Sequence, residues 1–131
     1  MIEIEELILK ERRKKRRRSL CMLIIITVAV CYLLFNVVFG ISIVEGSSME
    51  AGIPEGSVVI YNRLEKSYDM NDIVIVQMDE KLIIKRIFSK DEDGIFLLGD
   101  NLQESVDSRS FGRVSEKQIM GKVICVIRIL K

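Results

Sequence analysis

Histidine is absent from all 131 residues. Its absence excludes a Ser-His-Asp triad, a Cys-His dyad and a His-ligated zinc within the chain. Cysteine is scarce. Cys21 and Cys31 sit ten residues apart in one apolar run, and Cys125 stands alone in the polar remainder. A disulfide inside that remainder is therefore excluded, and neither a CxxC pair nor a metal-ligand spacing occurs. All three cysteines read as small apolar fillers, and no metal or cofactor is expected. An internal repeat is lacking, as is a second long apolar run. A single-signed charge excess is lacking too. Residues 1–18 carry eight Lys/Arg and four Glu, whereas residues 41–131 carry twelve Lys/Arg and fifteen Asp/Glu. That distribution is not that of a nucleic-acid binder, so no nucleic-acid partner is expected.

What is present begins with a basic N-terminal segment, residues 1–18. Met1 to Lys10 alternates Ile/Leu with Glu and then becomes helix-compatible, which suits either a short helix or a frayed tail. Arg12 to Arg18 is an unbroken row of cations. Directly before an apolar run, such a row reads as a topogenic signal, and positive flanks stay on the cytoplasmic side. The run, residues 19–40, carries no charge; Thr27, Tyr32 and Asn36 are its polar interruptions. As a helix of about 20 residues it would measure about 30 Å, the thickness of a hydrocarbon core. It is longer than a cleaved signal core, and no A-x-A follows it. The expectation is a single-pass transmembrane helix in the cell membrane, with a cytoplasmic N-terminus and residues 41–131 outside.

Beyond Gly40 the apolar pattern breaks into short runs at 57–61, 72–77, 81–88, 95–98 and 121–130, separated by Gly, Asp and Asn. These predict a mostly β domain, a small sandwich or barrel. Ser115 to Ile119 reads as one helical turn capped by Ser115. About 90 residues suffice for one small core.

The stretch Glu45-Gly46-Ser47-Ser48-Met49-Glu50 follows the apolar run closely. Ser48 is eight positions beyond Gly40 and so within roughly 28 Å of the bilayer edge. An unactivated serine is a weak nucleophile, and without histidine a neutral lysine is the usual substitute base. Burial is what depresses a lysine pKa. Lys85 is best placed for burial, since strand alternation sets it on the face of Ile83 and Ile87. The competing reading is an inward lysine guarding an edge strand against aggregation. The polar stretch Gly99 to Arg109 reads by itself as a solvated turn.

Three segments together resemble the type I signal peptidases, the membrane-bound Ser/Lys proteases. They are G-S-S-M at Gly46–Met49, K-R-I at Lys85–Ile87, and G-D-N-x-x-x-S-x-D-S-R at Gly99–Arg109, followed by Phe111-Gly112. The resemblance implies Ser48 as nucleophile and Lys85 as general base. It implies Ser105 as the hydroxyl that bonds and orients the lysine amine, and Asp107 with Arg109 as a supporting ion pair. Asp100 and Asn101 would hold the same loop, and the Ser48 N–H would form one arm of an oxyanion hole. Small-residue specificity would need shallow apolar walls, for which Val44, Met49, Ile53, Ile83 and Ile84 are candidates; each could equally be a core residue. The implied activity is removal of signal peptides from exported preproteins at the surface of membrane lipid, with the substrate docked as an extended strand.

The departures bear on substrate choice. Gly46 stands where some members have an oxyanion serine, and Glu50-Ala51-Gly52 replaces the usual x-P-T. Leu102 replaces a frequently basic residue, and the large second lobe of some members is missing. Short relatives in pilus gene clusters act as assembly factors, so pilus assembly components are alternative partners. A soluble self-cleaving Ser/Lys regulator is a second alternative, opposed by the anchor and the Gly99–Arg109 segment. An anchored β domain without chemistry is the third.

Overall fold

A computed structural model describes residues 1–50 and 52–129, without the side chain of Ile2. The chain divides into two compact units, Met1–Asn36 and Val37–Lys131. The first is helical. Helix α1, Ile2–Val38, is continuous, so residues 2–10 are helix and not a frayed tail. It is long and apolar enough to cross a membrane. Two of its polar interruptions, Thr27 and Asn36, bond back to the helix. Thr27 Oγ1 donates to Leu23 O at 2.9 Å, and Asn36 Nδ2 to Tyr32 O at 2.8 Å. Such back-bonding is how a hydroxyl or amide is accommodated where water is absent. The helix ends at Val38, two residues before the expected boundary.

The second unit is mostly β. Strands β1 (Phe39–Ile43), β2 (Val58–Asn62), β3 (Ile73–Met78), β4 (Lys81–Asp91), β5 (Gly94–Leu98) and β6 (Ile119–Ile127) form one sheet in the order β1-β2-β6-β3-β4-β5. Every pairing is antiparallel. β1 is the strand the sequence reading missed. Phe39-Gly40 looks like the tail of the apolar run, yet it pairs with Asn62 and Tyr61 of β2. The last strand runs from Ile119 to Ile127; Leu130 of the expected 121–130 run lies outside the described residues, as does Ala51. Ser115 does cap a short turn, the 3₁₀ segment Glu116–Gln118, with its N–H donating to Gln118 Oε1 at 2.9 Å. One further turn of helix, α2 (Ser108–Phe111), lies inside the stretch read as a polar loop.

Strand alternation splits the core in two. Val74, Val76, Ile87, Ile95 and Leu97 pack in one cluster, Val59, Tyr61, Ile75 and Ile84 in the other. Val74, Ile75 and Val76 are consecutive and all buried, so β3 is covered on both faces. In a flat sheet β1 and β4 would stand four strand spacings apart, about 19 Å. Both nevertheless line one cavity, which a coiled sheet allows. Register shifts at Ile60/Tyr61, Ile75/Val76 and Ile87/Ser89 are the local irregularities that add twist. Cys125 is exposed, opposite Ile60 on the outward side, so the apolar-filler reading fails for it.

Gly121 marks a tight seam in the sheet. A Cβ there would stand 2.4 Å from Asn62 O and 2.8 Å from the Tyr61 ring. A backbone oxygen inside a ladder cannot swing away as a side chain can. Gly121→Ala is expected to destabilise the β unit by about 2 kcal/mol, within the usual cost of overpacking. A chemical denaturation midpoint would measure it, and an unchanged midpoint would contradict the seam.

Candidate active site

Ser48 lies in the turn that follows β1, and Lys85 lies at mid-strand in β4. The fold brings them together: Lys85 Nζ donates to Ser48 Oγ at 2.7 Å. Lys85 is only 3% exposed. Its strand partner is Val74, a member of the first core cluster, and its alternation neighbour Ile87 belongs to the same cluster. Burial lowers the Lys85 pKa, while the negative charge of Asp107 acts in the opposite direction. A depressed pKa makes the neutral amine available, and its lone pair can then take a proton from the hydroxyl it touches.

The Gly99–Arg109 loop supports this pair from beneath. The Asp107 side chain is fully buried. Burial alone would raise its pKa, but hydrogen bonds from Arg109 and from the Gly99 N–H outweigh that and hold the carboxyl well below its ordinary value. Arg109 Nε reaches Asp107 Oδ1 at 2.8 Å and Nη2 reaches Oδ2 at 2.9 Å, while Gly99 N donates to Oδ2 at 3.1 Å. Gly99 is required by space. A Cβ would stand 2.1 Å from Ser105 Oγ and 2.5 Å from Ser48 O. The loop therefore packs glycine against the Ser48 carbonyl, and Asn101 N donates to that carbonyl at 2.9 Å.

Ser105 is placed beside the pair, but its expected bond to Lys85 is not made. Among the described residues the buried Ser105 Oγ meets no partner at hydrogen-bond geometry, although it lies close enough to Asp107 to help keep that carboxyl ionised. Lys85 spends its visible bond on Ser48 instead. The Asp107–Arg109 pair is formed as anticipated. Asp100 has a partner the sequence reading did not assign, the Arg86 guanidinium, with Nε–Oδ1 and Nη2–Oδ2 both 2.7 Å. Alternation could have signalled it. Lys85 and Arg86 face opposite sides of β4, and Arg86 pairs with Leu98, two residues before Asp100. Other contributions carried no sequence signal: Ser108 Oγ accepts from Leu97 N at 2.9 Å, and Glu104 accepts from Ser47 Oγ.

A cavity of about 260 Å³ opens at Ser48 and Lys85. Of the candidate walls, Val44, Ile83 and Ile84 line it; Met49 and Ile53 do not, being 0% and 2% exposed in the second core cluster. β5 pairs with β4 only from Arg86 onward, so among the described residues no strand covers the outer edge of Lys81–Lys85. β1 is likewise an edge strand. Two open edges thus flank the cavity. Among the described residues no group of three or more His, Cys, Asp or Glu is placed to hold a metal ion.

No curated protein matches the chain. A family model described as Peptidase S24-like matches residues 38–124, more than half of the sequence and nearly all of the β unit. The buried lysine on a serine hydroxyl, carried by this sheet, therefore sits in a protease-like domain, and the chain belongs to the Peptidase S24-like family.

Proposed function

We propose that this chain is a membrane-anchored endopeptidase that removes signal peptides from exported preproteins, with Ser48 as nucleophile and Lys85 as general base. The observation that carries the proposal is the 2.7 Å bond from a lysine 3% exposed to the serine hydroxyl. Neutral Lys85 takes the Ser48 proton as Oγ bonds to the scissile carbonyl carbon. The oxyanion that forms faces the Ser48 N–H. Lys85, now an ammonium, returns the proton to the leaving amine, which departs as the C–N bond breaks. Lys85 then takes a proton from water as its oxygen attacks the acyl ester, and returns that proton to Ser48 Oγ as the ester C–O bond breaks. Ser105 has the role of holding the amine; its Oγ is buried and, among the described residues, meets no partner at hydrogen-bond geometry.

Substrate class follows from the cleft and the anchor. The substrate chain lies as an extended strand between the open edges of β1 and β4, its main chain bonding to whichever edge it joins. Small side chains suit the restricted space beside Val44 and Ile84. Helix α1 spans the bilayer with its Arg12–Arg18 end inside, and this holds the β unit where signal peptides emerge. The same helix favours this reading over a soluble self-cleaving regulator.

Two outcomes are expected. Ser48→Ala and Lys85→Ala, assayed as full-length protein in vesicles on a signal-peptide substrate, each lower the rate by about a thousandfold or more. Substantial cleavage by either would sink the pair. The second concerns pH. Because burial lowers the Lys85 pKa below 10.5, kcat/KM should rise with pH along a single limb lying below that value, as the ammonium loses its proton. A limb at the ordinary lysine position would contradict a base whose pKa burial has lowered.

A further inference from the structure

Ser48 is gripped from two sides by one short turn, and only one side is backbone. The turn is Asn101–Glu104, closed by Glu104 N donating to Asn101 O at 3.3 Å. Its first residue donates its N–H to Ser48 O at 2.9 Å, and its last residue accepts the Ser47 hydroxyl on its carboxylate. The two contacts therefore lie on either side of the Ser47–Ser48 peptide unit. That unit carries the Ser48 N–H. A peptide plane turns by compensating rotations at the residues before and after it. Pinning the Ser47 side chain and the Ser48 carbonyl resists both. The turn is itself anchored: Arg109 Nη2 donates to Leu102 O at 2.7 Å and to Ser105 O at 3.4 Å, while its fork holds Asp107.

We infer that Glu104 is a positioning residue, clasping Ser47 so that the Ser48 N–H keeps the direction an oxyanion needs. Glu104 falls at one of the unspecified positions of the G-D-N-x-x-x-S-x-D-S-R segment, so the resemblance assigns it nothing. The same clasp answers a question about Ser47. Its hydroxyl is held by a carboxylate of the loop, which removes it as an oxyanion donor and makes it the clasp's other half. The catalytic part of this inference rests on the Ser48/Lys85 reading; the mechanical part does not.

The test joins kinetics to amide exchange on the full-length protein. Glu104→Ala should lower kcat about tenfold, the scale expected for a small misplacement at a reacting centre, with KM and the pH of the alkaline-rising limb unchanged. Ser47→Ala should do the same, and the double variant should be no slower than either single one, because one bond is lost in each case. Glu104→Gln keeps an acceptor oxygen and should recover most of the rate. An unchanged kcat in Glu104→Ala, or independent losses that multiply in the double variant, overturns the inference. Hydrogen exchange separates this from failure of the peptidase reading. In Glu104→Ala the amides of residues 47–50 should exchange faster while those of β4 do not. Unchanged exchange at residues 47–50 overturns the clasp even if Ser48 is catalytic; faster exchange upholds it as a mechanical link even if Ser48→Ala retains cleavage.

Discussion

A primary amine almost wholly removed from water is the constraint to which the rest of the β unit responds. An ammonium in that position is strongly disfavoured unless paired, and among the described residues Lys85 bonds to the Ser48 hydroxyl and to no carboxylate. The cost is met by a lowered pKa, by the Ser48 hydroxyl and by the distant negative charge of Asp107. The linkage has a definite sign. Between the depressed folded value and the ordinary lysine value the unfolded chain binds more protons, so the Lys85 term becomes less unfavourable to folding as pH rises. Asp107 carries the same sign at the acid end: its lowered pKa favours the fold above the ordinary carboxyl range, and that contribution is lost as pH falls. Both groups make the domain prefer neutral to alkaline conditions over acid.

The second constraint is mechanical. A serine in a turn is held still only by something rigid, and here the loop after β5 does it for Ser48. Gly99 lies against Ser48 O, Asn101 bonds that oxygen, and the loop is tied down by two guanidinium forks, Arg109 on Asp107 and Arg86 on Asp100. The two forks differ in setting. Asp107 is fully buried, whereas Arg86 and Asp100 are one-third and about one-seventh exposed. The first is the more consequential to break, since removing one partner leaves a buried charge uncompensated. Short edges serve the cleft in a related way. β5 pairs with β4 only from Arg86 onward, and among the described residues that leaves the half-strand Lys81–Lys85 beside Ser48 open.

Much of this was legible along the chain. The apolar run, the β-rich runs and the inward position of Lys85 followed from period and length, because those signals are local. Phe39–Ile43 was not legible as a strand, since five residues continuing an apolar helix carry no period of their own; pairing with β2 decided them. Met49 and Ile53 looked like pocket walls because they are close to Ser48 in sequence. The turn folds them back into the second core cluster instead, and Ile83 and Ile84 reach the cavity from the other end of the domain. Ser105 was expected to bond the lysine, but that bond depends on which of several acceptors the amine faces.

The amino-acid sequence alone determined the inventory of chemistry. Without histidine, a serine can be activated only by another base, and the uncharged run after the charged cluster makes a helix long and apolar enough to cross a membrane. It also singled out Lys85 as the lysine best placed for burial, since alternation sets it on the face of Ile83 and Ile87; the packed sheet is what buries it. What only the tertiary structure decided is which groups meet. Ser48 and Lys85 are 37 positions apart, and Ser47 and Glu104 are 57. Contacts at such separations arise from how six strands coil and where one edge is left open. Those are properties of the packed sheet, to which many residues contribute weakly and no short segment contributes enough to be read alone.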